Sequence, residues 1–434
     1  MATATRTSRL INHTPFFYGW VILVAGTISI AMMGPSQTFT VGLFIDTWVA
    51  QLGISRSNIA LIYGVSTLSA SLFLPVTGRM TDRRGARTMI AVVGVGLGLS
   101  CIVMGQVNGV LSLLLGLLAL RFFGFGSVQL VSNHAIAQWF IHKRGTVMGL
   151  AGQSLALGLF IFPVLGEALI NIFGWRGAWV AMGLMAMAVL ILVGWTFFRD
   201  TPELYGQVPD GRHQPASTTS RPQPGATGTN ARDTDSPRAE EVNWTLAEAR
   251  GTALFWIFAV GLASMTLVMA GMAFHQVSLF AARGFPRETA IRAFQISALT
   301  SIVGNLGIGR LLDLVSARKL LATVLLLLAS TLILLVVMSA PWHAALFGAL
   351  YGVISGSYRV MDSTVWAKYY GRRHLGEIRG ATMIGTLGGT AFGAYPLALS
   401  YDLLNSYTPA LMAFLLLPLA LAAVALMARR PEKR

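Results

Sequence analysis

The stretch GRMTDRRGAR (78–87) returns later in the chain as GRLLDLVSAR (309–318). A glycine, an aspartate and an arginine recur at matching positions: Gly78 with Gly309, Asp82 with Asp313, and Arg87 with Arg318. Two more pairs follow in the same order: GSVQLVSNHAIAQWF (126–140) with GSYRVMDSTVWAKYY (356–370), and RGTVMGLAG (144–152) with RGATMIGTL (379–387). Three segments repeated in one order at nearly one spacing predict two similar halves.

Apolar stretches long enough to cross a bilayer surround these repeats. The 434 residues are 54% hydrophobic and 11% charged, which is typical of a membrane protein. A hydrocarbon core of about 30 Å needs roughly 20 apolar residues per helix. This length predicts an all-α membrane protein with twelve transmembrane helices in two six-helix pseudo-repeats (6+6): 18–41, 57–77, 89–107, 110–133, 146–169, 176–197, 253–279, 289–308, 320–339, 343–367, 379–400 and 408–428.

The distribution of Lys and Arg predicts the orientation of these spans. With the N-terminus inside, 25 of the 32 basic residues fall on cytoplasmic segments, which the positive-inside rule favours. Both termini are therefore predicted to be cytoplasmic. The formal charge of +15 follows from this topology, since the basic residues are spread over short loops, and it requires no nucleic-acid partner.

A polar segment separates the two halves. Residues 199–250 are rich in Pro, Ser, Thr and Gly, and we interpret them as a cytoplasmic linker that is partly disordered. The halves are then 1–198 and 251–434. At the end of the linker, Asn243 or Thr245 is expected to cap a short helix before the seventh span.

The repeated loop motif has the composition of a switchable contact. Its glycines allow close approach of helices, and Asp82 can pair with an arginine or a helix N-terminus in one conformation and release it in another. The alternative is that the arginines only enforce topology. We predict a conformational gate formed by seven residues: Gly78, Asp82, Arg83, Gly85, Arg87, Asp313 and Arg318.

These residues resemble the loop signature of the major facilitator superfamily, G-x-L-x-D-R-x-G-R/K-R/K, with departures at Met80 and Ala86. FYGW (17–20), RFFGFGS (121–127) and WAKYYGRRHLGEIRG (366–380) are similar to segments of bacterial relatives of the monocarboxylate and oxalate/formate transporters. The resemblance implies a proton-coupled secondary transporter in the bacterial cytoplasmic membrane that functions as a monomer, without a cofactor. The fifth span fits the superfamily's antiporter pattern in part, because Phe162 and Glu167 stand where two of its glycines are usual.

Ionisable groups inside apolar spans are candidates for function, because unpaired charge in lipid is costly. Arg121 in the fourth span resembles the superfamily's helix-4 arginine, and a structural hydrogen-bonding role is the alternative. Arg359 and Asp362 lie three residues apart in the tenth span, so they either neutralise one another or act on a substrate anion and a proton. In the repeat, Gln129 and Ser132 occupy their positions, so the charges are particular to the second half.

The predicted site residues fall into two groups besides the gate. The substrate-binding candidates are Gln37, Arg121, Gln129, Asn305, Tyr358 and Arg359. The proton-coupling candidates are Glu167, His275 and Asp362, although a lone buried histidine is often structural and Glu167 also fits a gate at the outer mouth.

The spans lack two basic residues that the resemblance would lead one to expect. The eighth span has only Arg292, near its outer end, and the eleventh has no lysine. The predicted function is secondary active transport of a small organic anion, most simply a carboxylate, by alternating access. The alternative is transport of a neutral or amphipathic molecule. A sensor and an enzyme are disfavoured, because the linker is too polar for a signalling domain and the sequence has no nucleotide loop, nucleophile elbow or metal-ligand cluster.

Overall fold

Helices account for nearly all of the described chain. The computed structural model describes residues 10–11, 14–140, 143–211, 244–371 and 374–427, and no strand occurs within these ranges. Most of the predicted linker, 212–243, lies outside the described residues.

In the described part of the chain from Gly19 to Phe197, the N-terminal helix set contains nine α-helices and three other helical segments. The α-helices are α1 (Gly19–Ala31), α2 (Thr38–Val41), α3 (Ile45–Leu52), α4 (Arg56–Arg84), α5 (Ala86–Gly105), α6 (Val110–Leu120), α7 (Gln129–Trp139), α8 (Arg144–Ala151) and α9 (Ser154–Phe197). Two 3-10 turns, Gly34–Ser36 and Gly42–Phe44, connect α1, α2 and α3, and a π-helix, Arg121–Val128, connects α6 and α7.

The C-terminal helix set follows the short helix α10 (Leu246–Arg250). Its members are α11 (Ala253–Ala281), α12 (Arg287–Leu314), α13 (Ala317–Val337), α14 (Pro341–Tyr370), α15 (Leu375–Phe392), α16 (Ala394–Leu404) and α17 (Thr408–Met427). The prediction of a capped helix before the seventh span is confirmed. Thr245 Oγ1 accepts a hydrogen bond from Glu248 N at 3.3 Å, and Glu248 Oε2 accepts one from Thr245 N at 2.7 Å.

Within the described ranges, nine helical stretches are long and apolar enough to cross a membrane. One of them, Val147–Phe197, has 51 residues and is interrupted at Gly174, whose φ of 67° and ψ of 173° are not helical. This glycine lies in the gap that separates the predicted fifth and sixth spans. The twelve-span 6+6 arrangement and the cytoplasmic termini stay predictions.

Three predicted spans are broken in the described part of the structure, and the fifth span is interrupted between Ala151 at the end of α8 and Ser154 at the start of α9. The first is interrupted at Gly34–Ser36, where Pro35 provides no backbone N–H donor. The eleventh is divided at Gly393, where α15 ends and α16 begins. The length of an apolar run predicts a span, but it carries no information about a local break inside that span.

The two helix sets pack closely at one end. There α4 contacts α15 and α16, α9 contacts α12, and α2 contacts α11. A Cβ atom on Gly42 would lie 2.5 Å from the carbonyl oxygen of Phe274, and one on Gly64 would lie 2.5 Å from that of Ala391. Backbones that approach this closely leave no room for a side chain.

The opposite end carries the two copies of the repeated loop motif, and we call it the motif end. A Cβ atom on Gly78 or on Gly309 would meet no heavy atom within 4 Å. The first end carries ion pairs between the sets, described below, and we call it the paired end. The cleft between the sets is therefore closed at the paired end.

Candidate substrate cavity

A cavity of about 180 Å³ lies between the two helix sets. The N-terminal set contributes Gln37, Thr38, Phe39, Leu155, Ala156 and Leu159. The C-terminal set contributes Thr266, Met269, Ala270, Ala273, Phe294, Ser301, Tyr351, Ser355, Tyr358, Arg359 and Thr390. A site lined by both sets is exposed to each side in turn when one set rocks against the other.

Among the described residues that line the cavity, Arg359 alone is charged. It follows Tyr351, Ser355 and Tyr358 on a single face of α14, because positions i, i+4, i+7 and i+8 of an α-helix share one face. Its Nε and Nη2 atoms are buried and have no hydrogen-bond partner among the described residues. Buried, charged N–H donors without acceptors favour an anionic ligand.

Gln37 adds a further donor from the opposite side of the cavity. It precedes α2 with extended backbone, at φ −80° and ψ 150°, directly after the break in the first span. Its side chain is buried, and Nε2 has no partner in the described part of the chain. In a continuous helix the backbone hydrogen bonds are all satisfied within the helix. At this break the helix is interrupted, and the Gln37 side chain faces the cavity.

Several hydroxyl groups of the lining are already bonded to carbonyl oxygens of their own helices. Thr266 Oγ1 donates to Ala263 O at 2.8 Å, Ser301 Oγ to Ala298 O at 2.8 Å, and Thr390 Oγ1 to Thr386 O at 2.9 Å. Tyr351 likewise donates to a carbonyl oxygen, that of Met269 on α11, at 3.2 Å. Since the described lining contains no aspartate or glutamate, the charged recognition group of the cavity is the Arg359 guanidinium.

Arg121, which the sequence predicts to bind substrate, is not among the described residues that line this cavity. The buried guanidinium donates from Nη1 to the carbonyl oxygen of Ser36 at 2.7 Å, and it lies over the rings of Phe125 and Tyr63. Gly124 permits this approach, because a Cβ atom there would lie 2.4 Å from Ser36. Arg121 therefore holds the break in the first span, next to Gln37.

Asp362 pairs with an arginine of α15, and not with Arg359 of its own helix. Its Oδ2 atom lies 3.4 Å from Arg379 Nη2, and both side chains are partly exposed. Of the two alternatives for Arg359 and Asp362, neutralisation of one by the other within the helix is therefore not found, because Asp362 pairs with Arg379. This leaves the Arg359 guanidinium available to a ligand.

Three other predicted residues do not line the cavity. Gln129 is exposed at the start of α7. His275 is buried, with Nε2 3.0 Å from Ala394 O and its ring against that of Tyr407. Asn305 lies on α12 where this helix crosses α14, and a Cβ atom on Gly356 would lie 2.6 Å from its backbone nitrogen.

Glu167 takes part in an ion pair between the sets at the paired end. Arg287 of α12 bonds its carboxylate and also donates from Nη2 to Leu43 O at 2.6 Å. These contacts join α9 and the Gly42–Phe44 turn to α12. Glu167 therefore lies at a contact between the two helix sets, and its predicted roles in proton coupling and as a gate stay predictions.

A second polar cluster joins the sets at the same end. Arg56 lies 2.5 Å from Asp46, and both bond the hydroxyl of Ser278, at 3.1 Å and 2.8 Å. Asp402 accepts bonds from the backbone and hydroxyl of Ser57 at 2.7 Å and 2.6 Å. Sequence reasoning did not single out Asp46, Ser278 or Asp402, because charges at span ends look like ordinary solvated residues.

The first copy of the loop motif makes its hydrogen bonds to residues of the N-terminal part of the chain. Gly85 ends α4 at φ 81°, a conformation that favours glycine, and Asp200 accepts a bond from Arg87 N at 3.2 Å. The Arg87 guanidinium donates to Trp195 O from Nη2 at 2.9 Å. Asp82 lies 3.8 Å from His134, and Arg83 is exposed.

The second copy of the motif is only partly described. Arg318 lies in the first turn of α13, whereas the side chain of Asp313 lies outside the described part of the structure. In the described ranges, no group of three or more His, Cys, Asp or Glu side chains is placed to hold a metal ion.

Comparison with known proteins identifies the family to which the chain belongs. The profile of the Major Facilitator Superfamily matches residues 21–394. Uncharacterized MFS-type transporter YhjX of Escherichia coli (strain K12) is 22% identical over 375 residues, which cover 84% of each protein. Monocarboxylate transporter 11 of Homo sapiens is 27% identical over 172 residues, which cover 39% of this chain and 36% of that protein.

A solved structure shares the fold. It is a bacterial homolog of the human lysosomal transporter Spinster, in an inward-facing and occupied conformation, with a TM-score of 0.67 and 14% identity. The match covers 97% of this chain and 100% of that one. This chain is thus an integral, multi-pass membrane protein that belongs to the major facilitator superfamily, whose members are transporters and not enzymes.

Proposed function

We propose that this transporter carries a small organic anion, most simply a carboxylate, through the cavity between its helix sets. The supporting observation is the Arg359 guanidinium, which lines the cavity with buried Nε and Nη2 atoms that have neither a hydrogen-bond partner nor a carboxylate beside them in the described lining. Such a group binds a planar carboxylate through two parallel hydrogen bonds. A volume of about 180 Å³ suits a substrate of few atoms.

Gln37 is the second proposed contact with the substrate. Its Nε2 atom donates from the N-terminal set while Arg359 donates from the C-terminal set. A bound anion therefore links the two sets, and Tyr358 closes the same side of the cavity. Arg121 positions Gln37 through its bond to Ser36 and does not touch the substrate.

Transport then follows by alternating access, with the motif end on the cytoplasmic side of a bacterial cytoplasmic membrane and the protein acting as a monomer. The paired end is closed here by Glu167–Arg287 and by the Asp46–Arg56–Ser278 cluster. Proton coupling is assigned to Asp362, Glu167 and His275. When such a carboxylate takes up a proton, it loses its charge and its ion pair with the arginine weakens. Protonation is thereby linked to movement of one helix set relative to the other.

Binding measurements on purified protein test the anion site directly. Isothermal titration with formate, acetate, lactate and oxalate is expected to detect at least one ligand, whereas acetamide does not bind. Arg359→Gln should weaken that binding by about tenfold or more, which corresponds to about 1.4 kcal/mol. Arg292→Gln is the matched control, because it removes an equal charge at an exposed position outside the cavity.

An apolar part of the cavity wall favours a second candidate, a neutral or amphipathic substrate. Phe39, Met269 and Phe294 contribute this surface. If acetamide and acetate bind equally well, or if Arg359→Gln leaves carboxylate affinity unchanged, the anion proposal is wrong and this second candidate replaces it.

A further inference from the structure

A second, larger cavity lies on the outside of the C-terminal set. It encloses about 400 Å³ between α11, α15 and α17, and we call it the outer groove. Residues of α11 that recur at every fourth position form its floor: Phe255, Ala259, Ala263 and Leu267. This face is about 18 Å long, because each helical residue adds about 1.5 Å.

The walls of the outer groove offer almost no free polar group. The Ser264 hydroxyl donates to Gly261 O at 2.7 Å, and the Thr382 hydroxyl donates to Arg379 O at 3.1 Å. Both hydroxyls are thus satisfied by the backbone of their own helices. A long hydrocarbon chain is the ligand that such walls accept without loss of hydrogen bonds.

One charged residue of the described lining, Arg250, lies at the motif end of the outer groove. It is the last residue of α10, and its carbonyl oxygen accepts a hydrogen bond from Trp256 Nε1 at 2.9 Å. The Trp256 side chain is 53% exposed, as is typical of an indole at the boundary between lipid and water. This bond fixes the backbone of Arg250 at the mouth of the groove.

The Arg250 guanidinium itself is available to a ligand. The residue is exposed, and no hydrogen bond or ion pair of its side chain occurs among the described residues. An arginine binds phosphate through two parallel hydrogen bonds, with an additional gain from opposite charge. A cation at one end of an apolar channel matches the arrangement of an acidic phospholipid.

The N-terminal set offers a natural comparison. A groove of about 330 Å³ lies between α1 and α9, lined by Trp20, Val24, Ile28 and Phe197 among other apolar residues. None of the described residues that line it is charged. It offers hydrocarbon contact without a charged side chain, so we expect it to show no preference for an acidic lipid.

We propose that the outer groove binds one acidic glycerophospholipid from the leaflet at the motif end. One acyl chain lies along α11 towards Leu267 and Gly389, and the phosphate is bound by Arg250. The site differs from the cavity between the helix sets in its position, its size and its ligand. It therefore holds whether or not the transported solute is an anion.

Native mass spectrometry of the full-length protein tests this site. The protein is titrated in detergent with phosphatidylglycerol and phosphatidylcholine of identical acyl chains. Wild type should retain one phosphatidylglycerol with about fivefold preference, the contribution of one arginine near a membrane surface. Arg250→Gln should lose the preference, whereas Arg84→Gln, which changes an exposed arginine at the motif end of the other set, should keep it.

A second variant tests the hydrocarbon part of the site. Val260→Trp fills the groove from its exposed side, so it should reduce retention of both lipids. Equal retention of the two lipids by wild type would overturn the proposal, as would an unchanged preference in Arg250→Gln. Displacement of phosphatidylglycerol by millimolar inorganic phosphate would show that Arg250 binds the free ion, which also contradicts a lipid site.

Discussion

Arg121 and Arg359 are both arginines of apolar helices, yet their guanidinium groups have different surroundings. Arg121 is 1% exposed, donates from Nη1 to Ser36 O and lies over two aromatic rings, while its Nε and Nη2 atoms have no hydrogen-bond partner among the described residues. Arg359 borders a cavity, and two of its donor atoms have no partner among the residues that the structure describes. The two arginines therefore differ in their neighbours: Arg121 is held by Ser36 O and two rings, whereas the donors of Arg359 border a cavity that a solute can occupy.

The same substitution should therefore have opposite consequences at these two positions. Arg121→Met removes a charge-assisted hydrogen bond from a buried carbonyl oxygen, which should lower the free energy of unfolding by about 1.5–3 kcal/mol. Arg359→Met removes donors that have no partner in the described chain, so its thermal stability should be unchanged or higher. Thermal unfolding followed by tryptophan fluorescence in one detergent measures both.

Binding by the same two variants completes this comparison. Arg359→Met should not bind the anion, whereas Arg121→Met should retain weakened binding because Gln37 is less well positioned. If Arg359→Met is the less stable variant and still binds the anion, the two roles are reversed and our assignment is wrong.

The sequence predicted part of this site and missed part of it. Gln37, Tyr358 and Arg359 were predicted to bind substrate, and the structure brings them together at one cavity. Arg121, Gln129 and Asn305 were grouped with them because they are polar residues in apolar spans. Polarity identifies the residue but does not say which neighbouring helix it faces, and this depends on how the two sets pack.

At the scale of helices, polar contacts between the sets concentrate at the paired end. The Glu167–Arg287 pair joins α9 to α12, and its side chains are only 15% and 27% exposed. Partial burial makes such a pair stronger than a fully solvated one. It should therefore hold the cleft closed at this end.

Breaking this ion pair should open the paired end and close the motif end. Spin labels at Arg84→Cys and Leu314→Cys report the separation of the sets at the motif end, because both positions are exposed and Cys101 is buried. Pulsed electron resonance should detect a shorter distance in Glu167→Gln/Arg287→Gln. Arg176→Gln is the control, since Arg176 bonds Gly105 O and Val107 O of its own set.

Two glycine substitutions should change the distance between these spin labels, one shortening it and the other lengthening it. Gly42→Ala places a methyl group 2.5 Å from Phe274 O, so it should favour the shorter distance. Gly78→Leu enters open space at the motif end, so it should hold the sets apart and favour the longer one. Identical distance distributions in all of these variants would contradict a gate at the paired end.

The positions of the long helices were predicted better than their ends, since the spans predicted to end at 77, 133 and 308 belong to helices that end at Arg84, Trp139 and Leu314. Hydrophobic length placed the long spans, because a run of about 20 apolar residues is a strong signal. It missed the π-helix at Arg121–Val128 and the breaks at Gly34–Ser36 and Gly393, which depend on single glycines, a proline and the contacts of neighbouring helices. These interruptions are nevertheless what positions Arg121 and Gln37.

The whole molecule combines a cleft closed at one end with a positively charged cavity between its two helix sets. Repetition in the sequence predicts two six-helix halves, which stays a prediction, and the chain belongs to the major facilitator superfamily. The superfamily scaffold does not identify the solute, because scaffolds of this kind host many substrates. The proposal of an organic anion as the solute therefore depends on the Arg359 guanidinium in the cavity.

Uptake into proteoliposomes tests the central claim most directly. Purified wild type and Arg359→Gln are reconstituted in equal amounts and supplied with radiolabelled formate, acetate, lactate or oxalate, with and without an imposed pH gradient. We expect wild type to accumulate at least one carboxylate, faster with the gradient, and Arg359→Gln to accumulate none. Failure of wild type to accumulate every carboxylate, or equal accumulation by Arg359→Gln, would contradict this claim.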